Sequence, residues 1–345
     1  MGTKISKVEC YLPERVINNK DIFLLNEINN KNSQIDSALL EKRIKKLEKS
    51  TGIKERHTAS KNETALDLAL TVGKKVLQNY DKDRIDFLIL CTESPEYYLP
   101  HGSAILQDKL DFKKNIGAFD YNLGCSGFIY GLALAKSLIY TDIANNVLLI
   151  TSDTYSKYIN PKDKANRSIF GDAATATIIE KSEEEQIGEF VLGTDGSGYK
   201  NLIVPNGGLR NRYDSNAKEI DDGAGNVRTE NNFYMNGPEV FNFTIKVVPK
   251  LFLNILKENK NNLEDLDYVI FHQANKYINE YLRKKIDIPK EKYYLDLSHT
   301  GNTVSCTIPI AIKNSLDNKI IKKSDRILLA GFGVGYSWGG TIITI

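Results

Sequence analysis

Runs of consecutive apolar residues, rich in β-branched side chains, recur along the chain at 87–91, 147–151, 176–179, 268–271, 327–330 and 341–345. An unbroken apolar run of this length describes a strand covered on both faces, since a strand with one wet face alternates. Between the runs lie segments with apolar positions at helical spacing, at 64–79, 126–141, 237–258 and 277–286. Strands and helices in alternation point to an α/β fold in which helices cover the sheets.

The first half of the pattern returns in the second. Arg84-Ile-Asp-Phe-Leu-Ile-Leu-Cys91 is answered 181 residues later by Asp265-Leu-Asp-Tyr-Val-Ile-Phe-His272. Phe119-Asp-Tyr-Asn-Leu-Gly-Cys125 is answered at 177 by Tyr294-Leu-Asp-Leu-Ser-His-Thr-Gly-Asn302, and Asn146-Val-Leu-Leu-Ile150 at 180 by Arg326-Ile-Leu-Leu-Ala330. Each segment alone is a common strand pattern; their shared order implies an internal duplication. The expected organisation is two related α/β halves, 1–182 and 183–345, joined on the charged stretch 181–186. The region 193–236, with Asn206-Gly-Gly208 and Asp222-Gly-Ala-Gly-Asn226, reads as loops. No strand–GxGxxG–helix unit is present, which disfavours a dinucleotide site. The basic stretch 41–54 reads as a solvated helix face.

Composition narrows the class. The 345 residues carry 46 basic and 44 acidic side chains, a net charge of +2, so nucleic-acid binding through bulk charge is excluded. No apolar run approaches the ~18 residues of a membrane helix, and 1–13 alternates and carries Glu9, unlike a signal peptide. Cys10, Cys91, Cys125 and Cys306 lack metal-type spacing, so neither a disulfide framework nor a metal site is expected. These features describe a soluble cytoplasmic enzyme without nucleic-acid or membrane partners.

Candidate chemistry gathers at a few positions. Cys125, in Leu123-Gly-Cys-Ser-Gly127, stands between a strand ending near Asn122 and a helix beginning near Ser126. A thiol at a helix N-terminus faces the positive end of the dipole, which favours thiolate; the alternative is a buried, inert cysteine. His272 ends a buried strand and opens His-Gln-Ala-Asn275, where α/β proteins place sites. Asn302, in His299-Thr-Gly-Asn-Thr303, reads either as a helix cap or, through the duplication, as the counterpart of Cys125. His57 and His101 fall in expected loops, and His299 lies close to the Asn302 turn. The tail Gly331-Phe-Gly-Val-Gly-Tyr-Ser-Trp-Gly-Gly340 lets backbone N–H groups face a cavity, as an oxyanion site requires.

Seven motifs, in order along the chain, then carry a resemblance: Thr51-Gly-Ile-Lys-Glu-Arg-His57, Gly124-Cys-Ser-Gly-Phe128, Ile169-Phe-Gly-Asp172, Met235-Asn-Gly-Pro-Glu-Val-Phe241, His272-Gln-Ala-Asn275, Gly301-Asn-Thr303 and Phe332-Gly-Val-Gly-Tyr-Ser-Trp338. The sequence resembles the thiolase superfamily and, within it, the β-ketoacyl-acyl-carrier-protein synthase III group. The resemblance implies a five-layered αβαβα sandwich and a homodimer formed through the N-terminal halves. It implies a catalytic triad of Cys125, His272 and Asn302. Backbone N–H groups of Cys125 and Val334 would form the oxyanion hole, and Phe332 would line the acyl pocket. The implied reaction is decarboxylative condensation of an acyl-Cys enzyme with malonyl-acyl-carrier protein. Acyl-coenzyme A or acyl-carrier protein would be the donor, and no cofactor is needed.

Several positions depart from the family pattern. Lys46 and Ser50 stand where fatty-acid-initiating members have a Trp and an Arg near coenzyme A, and Tyr277 replaces an Arg. Lys276, Lys284 and Lys285 keep that patch basic, which suits docking of an acidic carrier protein in a specialised pathway. Glu93 matches a position that resembles the general base of hydroxymethylglutaryl-coenzyme-A synthase, the non-decarboxylating alternative. Two further alternatives, a papain-like hydrolase and a non-catalytic carrier-binding partner, fit less well. Cys125 is mid-chain and the triad is intact.

Overall fold

The computed structural model describes residues 2–28 and 36–345. The first sheet runs in the order Gly2–Tyr11, Ala173–Ser182, Asn146–Asp153, Phe87–Cys91, Gly117–Tyr121. The second runs Val191–Thr194, Ser337–Thr344, Arg326–Gly333, Tyr268–Phe271. Read this way, both sheets begin with two antiparallel pairings and continue with a parallel one. Phe87 lies opposite Val147 and Tyr268 opposite Ile327, so the sequence offsets of 181 and 180 recur in space. Where the first sheet adds Gly117–Tyr121, the second has only an isolated parallel bridge from Val269 to Tyr293.

Strand residues alternate between two covered faces, which is why the runs are apolar throughout. Leu88 and Leu90 pack against helix Ala65–Val76, while Ile89 turns the other way onto Phe128, Ile129 and Leu132 of helix Gly127–Tyr140. In the second sheet Ile270, Ile327 and Leu329 meet Ile308 and Ile312 of helix Thr307–Asp317, in the same central cluster. Its outer face, with Val269, Phe271 and Leu328, meets Val248, Leu251 and Ile255 of helix Gly237–Glu258. The layers are therefore helix, sheet, paired central helices, sheet, helix: the thiolase-like αβαβα sandwich. Removing apolar area from water on both sides of each sheet stabilises this stack by about 25 cal/mol per Å².

Two strands and one helix stand at the expected bounds, at Phe87–Cys91, Tyr268–Phe271 and Gly237–Glu258. Others run past their apolar runs, as in Asn146–Asp153 and Ala173–Ser182. Polar residues sustain the extensions by pairing with each other; the Thr151 and Thr175 hydroxyls lie 2.6 Å apart. The basic stretch is a solvated helix, Ser37–Thr51, in which Thr51 is the buried residue. His57 lies in the strand Glu55–Thr58 of a two-stranded sheet rather than in a loop, because Arg15–Asn18 pairs with it. Among the described residues, no helix is long and apolar enough to cross a membrane.

Candidate active site

The two central helices begin where the sheets end, and a cavity of about 460 Å³ opens there. Cys125, His272, Asn302, Phe332 and Val334 all line it. The first comes from one half and the other four from the second, so neither half holds the set alone.

Cys125 follows the strand Gly117–Tyr121 and precedes the helix starting at Gly127, in a turn closed by Gly127 N–H donating to the Gly124 carbonyl at 2.8 Å. The strand Arg326–Gly333 passes directly against it. The backbone N–H groups of Cys125 and Val334 lie close enough to the sulfur to favour its charged form. The helix start led us to expect a lowered thiol pKa, and the structure corrects this. Burial first, then the Glu93 and Asp153 carboxyls, push the Cys125 thiol well up, and the two N–H groups offset only part of this.

His272 is fixed by its own N–H, which donates to the Ala330 carbonyl at 2.8 Å. Burial lowers its pKa to about 3, so the ring is neutral at any physiological pH. Its Nδ1 lies 2.7 Å from the Thr307 hydroxyl, which also lies 3.2 Å from the Val304 carbonyl. The hydroxyl has one proton and two acceptors within reach, and therefore fits either ring tautomer. The edge of Phe332 packs against the imidazole, with ring centroids 5.9 Å apart.

Asn302 is tied by its backbone to Ile169 and Gly171, with bonds of 2.9 and 3.0 Å. Its Oδ1 accepts from Val304 N–H at 2.9 Å, while its Nδ2 has no acceptor among the described residues. The turn that holds it is strained: Val304, β-branched, sits at φ 57°. Such a conformation costs about 1–3 kcal/mol and persists only where surrounding packing imposes it. The pairing of Cys125 with Asn302 through the duplication needs correction. Counting back two residues from the helix starts at Gly127 and Thr307 gives Cys125 and Ser305. A short 3₁₀ turn, Val304–Cys306, sets Asn302 three residues earlier.

Glu93 lies outside the Cys125 cavity, on a neighbouring one of about 360 Å³ that shares Tyr155, Leu202 and Val334 with it. Burial raises its pKa to about 7, and the Tyr155 hydroxyl, which donates to Oε2, pulls it back. Its N–H donates to Asp153 at 2.8 Å, and Ser305 donates to the other Asp153 oxygen. This tyrosine, aspartate and serine network, like Thr307, went unnoticed in the sequence. The Asp153 end of its strand was the only available signal.

The lysines do not form one cluster. Lys276 opens helix Lys276–Ile286 beside Asn275 and Tyr277, which line the cavity. Lys284 and Lys285 are exposed eight and nine residues further on, roughly 12 Å along the helix. Lys46 and Ser50 are exposed on the solvated helix, with Ser50 at the cavity mouth. Among the described residues no group of acidic, His and Cys side chains is placed to hold a metal.

Residues 119–196 match the family described as 3-oxoacyl-[acyl-carrier-protein] synthase III, and residues 256–345 match its C-terminal counterpart. The chain is 38% identical over 298 residues to a β-ketoacyl-[acyl-carrier-protein] synthase III of Clostridium perfringens, covering 86% of this chain and 89% of the relative. It is 34% identical to the enzyme of that name from Caldanaerobacter subterraneus subsp. tengcongensis, over 96% of this chain and 95% of the relative. A crystal structure of a 3-oxoacyl-(acyl-carrier-protein) synthase III superposes with a TM-score of 0.92 at 40% identity, over 100% of both chains. A 3-oxoacyl-(acyl-carrier protein) synthase from Burkholderia xenovorans LB400 superposes at 0.88 with 33% identity, over 100% of this chain and 94% of that one.

Proposed function

The chain belongs to the 3-oxoacyl-[acyl-carrier-protein] synthase III family of condensing acyltransferases, and on that premise we propose that Cys125, His272 and Asn302 carry a decarboxylative condensation. The acyl group is taken from a thioester and joined to a malonyl thioester on an acyl carrier protein. The observation that carries this reading is the single cavity that gathers the three side chains, with Val334 on its wall beside Cys125.

In the first step the Cys125 sulfur attacks the thioester carbonyl carbon as its proton passes to the departing carrier thiol. No free thiolate need accumulate, which suits a thiol held protonated by burial. The carbonyl oxygen, negative in the tetrahedral state, sits on the backbone N–H groups of Cys125 and Val334; removing one such donor commonly costs ~10²–10³ in rate. This step does not require His272, whose ring can rest with Nδ1–H donating to Thr307.

In the second step the malonyl thioester oxygen lies between Nε2–H of His272 and the Asn302 amide. The carbon–carbon bond to the carboxylate breaks, CO₂ leaves, and the bonding pair becomes an enolate held by those two donors. The enolate carbon attacks the acyl-Cys carbonyl, the carbon–sulfur bond breaks, and the departing sulfur takes up a proton from solvent. An imidazole whose pKa is near 3 donates a hydrogen bond without protonating the carbanion. This step needs the other tautomer, with the proton on Nε2, and the Thr307 hydroxyl accommodates both by pointing at Nδ1 or at the Val304 carbonyl. Phe332 walls the acyl group beside the sulfur.

Lys276, at the mouth, serves to meet the acidic carrier protein, with Lys284 and Lys285 further out. The missing Trp and Arg at Lys46 and Ser50 favour a carrier-bound acyl donor over coenzyme A and a specialised pathway. The unpaired edge strand Gly117–Tyr121 supports pairing of two copies through their first halves, residues 1–182. The reaction needs no cofactor, and the setting we assign it is the cytoplasm. Intact-mass measurement after incubation with a panel of acyl-coenzyme A and acyl-carrier thioesters tests the reading. One acyl mass should appear on wild type and none on folded Cys125→Ala; an equal adduct on both would overturn it.

A further inference from the structure

We propose that a second cavity, between the paired strands Arg15–Asn18 and Glu55–Thr58 and residues 156–170, binds the phosphoryl group of a small molecule through Arg15, Arg56 and Arg167. The cavity is about 270 Å³, and its only lining residue in common with the Cys125 cavity is Phe170. It is unlike an ordinary surface hollow in where its charge and its unmet hydrogen bonds lie.

Arg56 is fully buried, yet its guanidinium meets only neutral acceptors: Nη1 donates to the Ile17 carbonyl, and Nη2 to Asn19 Oδ1 and the Ser168 carbonyl. Its Nε has no partner. Arg167 donates to the Pro161 carbonyl, and none of the three arginines forms an ion pair among the described residues. Thr58, also buried and on the same wall, has an unpartnered hydroxyl. A buried cation without a counterion and a buried hydroxyl without a partner each carry a desolvation cost that a bound anion removes.

The acids nearby are committed elsewhere. Asp172 accepts from Ala59 N–H and from the N–H and hydroxyl of Ser156; Asp163 accepts from the backbone and side-chain amide of Asn166. Glu55 meets His299, Asp21 accepts from Asn18 N–H, and Glu48 reaches only Asn19. They temper the field at Arg56 and Arg167 without neutralising it. The arginines instead lower one another's pKa, Arg167 acting on Arg56 and Arg15 on Arg167, in both cases after burial itself.

Three guanidiniums and a hydroxyl match the several acceptor oxygens and the double charge of a phosphate monoester better than a single carboxylate. Ile17, Ile159 and Pro161 supply an apolar wall for the organic part. Phe170 is bridged by backbone to Asn302, so the site adjoins the catalytic cavity without belonging to it.

Calorimetric titration of the full chain with inorganic phosphate, in chloride buffer, tests this. Binding should be saturable and weakened roughly tenfold or more by Arg15→Gln combined with Arg167→Gln. Thr58→Val keeps the test independent of charge. It should weaken phosphate binding while the phosphate-free protein melts at or above the wild-type temperature, because an unpaired buried hydroxyl is gone. Absence of saturable binding, or wild-type affinity in both variants, overturns the proposal. Displacement of phosphate by coenzyme A but not by its 3′-dephospho form identifies a carrier's phosphate as the occupant; displacement by neither identifies a separate phosphorylated molecule.

Discussion

Replacing Gly333 with alanine adds one methyl group at the most crowded point of the site. Its Cβ would lie 2.8 Å from Cys125 Cβ and 2.9 Å from Sγ. Carbon contacts settle at roughly 3.5–4.0 Å, so both must open by about 0.7 Å or more. The strand cannot retreat easily, because Gly333 pairs with Ser337 and Phe332 with Trp338. The Cys125 helix cannot either, since it lies between the two sheets. The sulfur is the freest atom, and it turns away from Val334 N–H. Gly333 has no left-handed φ, so alanine suits the backbone and alone favours folding by ~0.4–1 kcal/mol. Overpacking costs about 1–3 kcal/mol. Borne by the acyl-transfer transition state, that is a ~5–150-fold slower loading of Cys125. Single-turnover mass spectrometry gives the loading rate, and thermal melting shows whether the fold absorbs the strain instead. Loading at the wild-type rate with unchanged melting would refute the reasoning.

Other outcomes follow from the same geometry. His272→Ala should still accept an acyl group while decarboxylating malonyl thioester ~10²–10³-fold more slowly, and unimpaired CO₂ release would contradict its role. Thr307→Val should slow condensation roughly tenfold while loading changes little, with Thr307→Ser restoring it; equal losses in both steps would mark a merely structural residue. Glu93 has a folded pKa raised to about 7, so the stability linked to its protonation is present below the unfolded value near 4.5 and is lost as pH rises through about 7. Glu93→Gln should therefore gain up to about 3 kcal/mol relative to wild type between pH 5 and pH 8, with condensation largely intact; parallel melting profiles would contradict this. For His272, with a folded pKa near 3, the sign reverses: its contribution is present above the unfolded value of ~6.5 and is lost as pH falls toward 3. Replacing it with Gln should therefore flatten the acid limb of the wild-type melting profile; an unchanged limb counts against a buried neutral imidazole.

The apolar runs were legible because both sheets are covered on both faces, which leaves an unbroken signal with little dependence on loops. The duplication was legible for the same reason, since strands with equivalent neighbours need equivalent side chains. Cys125, His272 and Asn302 could be picked out because each ends or begins a core element. What escaped was set by contacts remote in sequence. Thr307 matters only because helix Thr307–Asp317 brings it to His272, 35 residues away. The upward push on the Cys125 thiol comes from burial and from Glu93 and Asp153, which two backbone N–H groups offset only in part. Arg56 sits in an ordinary polar stretch, and only the packing of its strand pair against Asn19 and Ser168 buries it without a counterion.

The central claim is that one cavity performs both acyl transfer and decarboxylative attack. Its most direct test follows a single enzyme sample by peptide mass spectrometry, first with an acyl thioester and then with carboxyl-labelled malonyl-acyl-carrier protein. The account predicts an acyl mass confined to the peptide carrying Cys125. That mass should disappear in step with label released as CO₂ and an equal amount of ketoacyl product. An acyl mass on another residue, or product formed with the label retained, would contradict it.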